Sequence, residues 1–194
     1  RVLPKLDFKR GIPPDCATMV AVPTMLSSAP AIARELEKLE VRFLGNRTPH
    51  ETGLHLYFAL VTDYNDAPEQ HMPEDEALVR AAVEGIEALN RRYSCNLFLL
   101  FHRDREWSVD EQAWIGKERK RGKIEELNAF LYGEGNSQYL RAGQLADQIR
   151  YVITLDADTQ LPAGIGARLV GTIAHPLNRV ELTEDGRNRV RGYS

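Results

Sequence analysis

Short apolar runs of strand length alternate with longer segments whose apolar residues recur at helical spacing, and this order fixes the fold class. Ala17–Pro23, Leu54–Thr62, Asn96–Phe101 and Arg150–Leu155 are the strand-like runs. Between and after them come Ile32, Leu36, Leu39 and Phe43 within 29–44, Leu78, Ala82, Ile86 and Leu89 in a helix opened by Pro73, then Lys123–Leu131 and Ala163–Ala174. Such alternation predicts an α/β layered domain with a mainly parallel sheet. Residues 1–16 are charged and Pro-rich and read as an N-terminal arm, so the domain proper is expected over 17–194.

Strand-like runs in this class deliver functional residues at their carboxyl ends. The fourth run passes directly into Asp156-Ala157-Asp158. In extended backbone, residues i and i+2 point to one side, so the two carboxylates are expected in one cleft. Paired carboxylates suit Mg²⁺ or Mn²⁺, and such an ion suits a phosphate. A strand ending in a solvated Asp-rich turn is the plainer alternative. Thr24 follows the first strand and Asp63 the second, each placed to meet a nucleotide or to serve an ordinary turn. Glu118-Arg119-Lys120-Arg121-Gly122-Lys123 sets four basic side chains and a glycine directly before the expected third helix, where anions are favoured. Asn128 follows on that helix as a hydrogen-bonding group. Trp107 and Trp114, in an expected long polar loop over 102–117, suit either sugar stacking or the core.

Composition narrows the classes. A net charge of −3 argues against nucleic acid as partner. The two cysteines, Cys16 and Cys95, are far apart and read as reduced core residues, which fits a cytosolic setting. No apolar run has the length of a membrane span, and none reads as a signal peptide. The five histidines form no ligand pattern, and no nucleophile-elbow or phosphate-loop motif is present. The chain opens on Arg1 and closes on Gly192-Tyr193-Ser194, so it reads as part of a longer protein, with a portion of the domain expected beyond its C-terminus. Three functions stay open on the residues alone: a metal-dependent nucleotide-sugar glycosyltransferase, a haloacid-dehalogenase-type phosphatase with Asp156 as nucleophile and Asp158 as acid/base, and a non-catalytic nucleotide-sugar-binding module. The phosphatase motif normally lies on an early strand, whereas this one lies on the fourth.

Lys120–Asn128, Ile153–Pro162 and Ala174–Arg179 together resemble the glycosyltransferase region of cyclic β-1,2-glucan synthases. Val61–Glu69, His71–Asp75 and Gly85–Asn90 are similar to the same family. The resemblance implies a GT-A-type, Rossmann-like fold, UDP-glucose as donor, a divalent metal, and processive, inverting synthesis of β-1,2-glucan. It implies that Asp156 and Asp158 hold the metal, that Asp63 contacts the nucleoside, and that Lys120 or Lys123 with Gly122 and Asn128 forms a donor-binding segment. It further implies a large protein of the bacterial inner membrane, with this region soluble at the cytoplasmic face and a glucan acceptor bound by other parts. The catalytic base of an inverting enzyme is expected beyond residue 194, since Glu181, Glu184 and Asp185 match the family's acid poorly.

Overall fold

The computed structural model describes residues 3–47, 55–134, 139–145, 148–178, 181–182 and 190–191. Arg1, Leu54, Arg179, Glu184, Asp185 and Gly192-Tyr193-Ser194, named above, lie outside the described residues.

The chain is α/β, with the expected mainly parallel sheet. Four strands, β1 (Thr18–Leu26), β2 (Leu56–Tyr64), β3 (Phe98–Arg103) and β7 (Tyr151–Thr154), run parallel. A short strand, β6 (Leu140–Ala142), adds antiparallel to β3, giving the order β6-β3-β2-β1-β7. β2 and β3 are buried along their whole length, which explains their unbroken apolar runs: helices cover both faces of a parallel sheet.

α1 (Ala29–Asn46) starts where Ser28 Oγ accepts the Ala31 amide at 3.3 Å, with Pro30 in the first turn. It buries Ile32, Leu39 and Phe43. α2 (Asp75–Tyr93) carries Asp75 and Glu76 in its first turn and Arg91 and Arg92 in its last, each matching the helix dipole. Phe43 meets Phe58 edge-on and lies 4.9 Å from both Phe98 and Tyr93, tying α1 and α2 to the sheet. α4 (Ile165–Ala174) follows β7 and packs on α1. The arm lies along α4, where the Leu6 amide donates to Gly171 O at 2.9 Å.

The strand sequence 3-2-1 followed by 7 means that successive connections leave β1 in opposite directions. The crevice of such a sheet opens at that reversal, above the carboxyl ends of β1 and β7. Pro23 marks the spot. Ala21 O accepts the Leu155 amide, so odd-numbered residues of β1 present their backbone to β7. The β1–β7 pairing ends at Ala21–Thr154. A proline with no N–H to donate is therefore tolerated two residues further on. Pro23, Thr24 and Met25 run past the end of β7 and form one wall of the crevice.

Three elements differ from the sequence expectation. The segment read as a loop over 102–117 contains a hairpin of β4 (Glu106–Ser108) and β5 (Ala113–Ile115), with Trp107 opposite Trp114. Strands of three residues are too short to show a period. β6, also three residues long, shows none either. α3 (Arg119–Leu131) begins four residues before Lys123, so the basic run lies within its first turns rather than ahead of it. Only Lys123 and Leu127 of α3 are buried, and one weak apolar stripe does not announce a helix start. β8 (Glu181–Leu182) and β9 (Val190–Arg191) form a separate antiparallel pair.

Candidate functional site

A depression of about 310 Å³ opens at the carboxyl ends of β1 and β2, lined by Thr24, Asp63, Asp66, Gly116, Lys120 and Lys123 among others. Its floor is a buried ionic network. Asp63, 1% exposed, accepts Arg103 Nε at 2.8 Å and Nη2 at 3.1 Å in a two-pronged pair. Lys123 Nζ lies 3.1 Å from Asp63 Oδ2 and donates to Thr24 O at 2.6 Å. Arg103 Nη1 donates to Glu126 Oε2 at 2.6 Å. Burial opposes the charge on Arg103, but the Asp63 and Glu126 carboxylates outweigh it and push its pKa up. For Lys123 burial wins, and its pKa falls despite Asp63. A carboxylate offers about four lone pairs. Three contacts therefore use most of the capacity of Asp63, which is fixed in the floor.

Gly116 makes this floor possible. A Cβ on it would sit 2.4 Å from Asp63 Oδ2 and 2.7 Å from Asp63 Cγ, so only glycine lets the backbone pass over the carboxylate. Gly116→Ala is expected to lower stability by about 1–3 kcal/mol, as overpacking of a rigid site does. Urea denaturation measures it.

The acidic segment is a turn, not a strand extension. β7 ends at Thr154, and the Thr159 amide donates back to Asp156 O at 2.9 Å. The same-side rule for i and i+2 therefore lapses. Asp156, exposed, pairs with Lys120 of α3, also exposed, which lines the depression. Asp158 instead faces a neighbouring groove of about 320 Å³ against α1, beside Lys38, Val41, Gln160 and Leu161. Asp156 thus leans toward the depression over Asp63 while Asp158 lines the adjoining groove, so the structure does not bring the two into the single cleft expected. Among the described residues no group of three His, Cys, Asp or Glu side chains could cage a metal. Two exposed carboxylates do suit an ion that takes one or two protein ligands and fills its shell with water and substrate phosphate, as Mg²⁺ does.

Of the remaining donor-binding expectations, Thr24, Lys120 and Lys123 line the depression, although Lys123 is buried and committed to Asp63 and Thr24 O. Gly122 is not in the depression. Its position closes the start of α3, where a Cβ would meet Lys117 O at 2.4 Å. Asn128 is not there either. It lines a different depression with Pro14, Gln148 and Arg150, residues that precede β1 and β7 at the opposite end of the sheet. Eight residues of helix carry it about 12 Å from Lys120. The indoles of Trp107 and Trp114 meet edge-on at 5.8 Å on the hairpin.

Arg103, Glu126 and Gly116 carry no local sequence pattern that marks them as part of a site. The nearest to a signal is a basic residue closing a buried strand, for Arg103. Cys16 and Cys95 are free thiols whose pKa burial raises. Among the described residues no helix is long and apolar enough to cross a membrane.

No family model matches the chain. A match does extend over 192 residues to cyclic beta-(1,2)-glucan synthase NdvB of Rhizobium meliloti (strain 1021), at 35% identity and covering 97% of the chain. The chain is a relative of this glucan synthase. It spans 7% of the length of NdvB. Because the match runs through nearly the whole chain, it is not confined to one motif. The sheet and the depression fall within the relationship together.

Proposed function

We propose that this domain is the donor-binding part of a glycosyltransferase, which uses UDP-glucose to extend a β-1,2-glucan with inversion at the anomeric carbon. The relationship to a glucan synthase supports the reaction class. The observation that carries the site is the meeting of Asp63, Lys120 and Asp156 across the crevice between β1 and β7. In this reading the depression over Asp63 takes the nucleoside, whose polar edge meets the Asp63 network and the backbone of Thr24. Arg119 and Lys120 face the diphosphate. Asp156 and Asp158 would hold Mg²⁺ or Mn²⁺, and the ion would supply positive charge against the nucleoside diphosphate leaving group. Lys120, paired with Asp156 here, is in place to share that task. The acceptor hydroxyl attacks the anomeric carbon as the bond to the diphosphate breaks, and its proton passes to a base outside this constellation. The wider setting we propose is a larger membrane-associated protein at the cytoplasmic face of the bacterial inner membrane, with the growing glucan as acceptor.

Calorimetry of the chain with UDP, with and without Mn²⁺, tests the reading. Mn²⁺ is expected to tighten UDP binding at least ~10-fold, a coupling of about 1.4 kcal/mol. Asp158→Asn is expected to remove the coupling and leave metal-free binding in place. Equal affinity in EDTA, or full coupling in Asp158→Asn, would overturn it.

A further inference from the structure

The residue that shapes the acidic turn lies behind it, on α1. Arg42 sits between Leu39 and Phe43 on the inward side of the helix and is 4% exposed. A buried arginine ordinarily has a carboxylate partner. Among the described residues none lies within ion-pair distance of Arg42. Its guanidinium is spent on main-chain carbonyls of the turn instead. Nε donates to Thr159 O at 3.2 Å, and Nη2 donates to Ala157 O at 2.9 Å and to Thr159 O at 2.8 Å. Asp156 O lies at the limit of contact, 3.5 Å from Nη2. One turn along α1, Asn46 continues the pattern. Its amide donates to Leu161 O at 3.2 Å and its oxygen accepts the Gly166 amide at 2.9 Å.

The division of labour matters. Asn46 anchors the chain after the turn, where it leads into α4. Arg42 anchors the carbonyls of Ala157 and Thr159, on either side of Asp158, and reaches Asp156 O at the limit of contact. Burial lowers its pKa, and Glu35, beyond ion-pair distance, opposes that shift without overcoming it. Its Nη1 has no protein partner among the described residues, so the fork's hydrogen bonds come from Nε and Nη2. A fork that grips two carbonyls two residues apart fixes the angle between the side chains that alternate with them. Lysine brings one point charge and no fork.

We infer that Arg42 is a positioning residue: from behind, its guanidinium sets the spacing of the Asp156 and Asp158 carboxylates, and the site's response to a divalent cation depends on that fork. This rests on reading the two aspartates as cation ligands.

Two measurements on the whole chain separate the inference from that reading. Hydrogen exchange without ligand follows the amides of 157–161. In Arg42→Met these are expected to exchange at least ~10-fold faster, while amides of β2 and β3 keep their protection. Mn²⁺-dependent tightening of UDP binding is expected to fall by about the same factor, with metal-free UDP affinity unchanged. Arg42→Lys, which keeps the charge, is expected to behave like Arg42→Met. It also serves as the working variant if the methionine form does not fold. Asn46→Ala is expected to retain the Mn²⁺ coupling, at some cost in stability. Unchanged exchange over 157–161 in both Arg42 variants would overturn the inference. So would full coupling in Arg42→Lys, or a loss in Asn46→Ala as large as that in Arg42→Met. Absence of Mn²⁺ coupling in the unmodified chain would sink the cation reading, and with it the functional half of the inference, while the exchange result still decides the anchoring half.

Discussion

Asp63→Asn is expected to cost about 3–5 kcal/mol of folding stability, the range seen when one partner of a buried ion pair is removed. The network around Asp63 holds two acids and two bases: Asp63, Glu126, Arg103 and Lys123. Removing one negative charge leaves a buried excess of one positive. Arg103 keeps Glu126, but Lys123, 2% exposed, keeps only neutral partners such as Thr24 O among those described. The amide matches the carboxylate in shape, so packing does not confound the result. Its NH₂ group, however, faces donors where an acceptor stood. The contrast is Lys120→Met, which breaks the exposed pair with Asp156, whose side chains are 57% and 58% exposed. Exposed pairs contribute between nothing and about 1 kcal/mol. Urea titrations of the two variants should show a large fall in midpoint for Asp63→Asn and a marginal one for Lys120→Met, with slopes unchanged. A loss under about 1 kcal/mol for Asp63→Asn would mean that the network does not frame the depression.

The contrast between these two residues shows what a sequence exposes and what it hides. β1, β2 and β3 were legible because central parallel strands must be apolar on both faces, and β7, at the sheet edge and only partly buried, through the short apolar run that ends at Leu155. The carboxyl-end rule then pointed to Thr24, Asp63 and Asp156 without any tertiary information. It failed to say what those residues do. Asp63 reads as an exposed loop acid after a strand, yet it lies inside β2, because Arg103 in register on β3 makes its burial tolerable. That pairing is a tertiary fact with no local periodicity. Gly122 and Asn128 misled for a different reason. The basic run reads as preceding a helix, but α3 starts at Arg119, so Gly122 packs against the Lys117 carbonyl at the helix start and Asn128 is carried to the far end of the sheet. Arg42 was invisible because its partners are carbonyls, which no side-chain pattern records.

Acidification is expected to remove about 3 kcal/mol of stability between pH 6.5 and 4 through His102 alone. The imidazole lies in β3 and is 2% exposed. Nδ1 is 2.9 Å from Thr62 Oγ1, Nε2 has no hydrogen-bond partner among the described residues, and the ring stands edge-on to Tyr64 at 4.2 Å. Burial pushes its pKa down to about 4, against the opposing pull of Asp104 and Asp63. The unfolded chain binds this proton near pH 6.5, the folded chain only near 4. Between those values the unfolded state holds more protons, so stability rises with pH and falls on acidification. A gap of about 2.5 pKa units corresponds to about 3 kcal/mol at 1.36 kcal/mol per unit. Asp75 works in a separate window. Its pKa is lowered because Arg105 and the Met72 amide outweigh its burial, so its stabilising effect is lost only below the usual aspartate range near 4. His102→Asn keeps a group able to pair with Thr62 and has nothing to titrate. It is expected to be less stable than the parent at pH 7, yet to lose little more by pH 4.5, so that the two stability curves converge. Parallel curves over that interval would place the acid sensitivity elsewhere and show that His102 takes up its proton while the protein is folded.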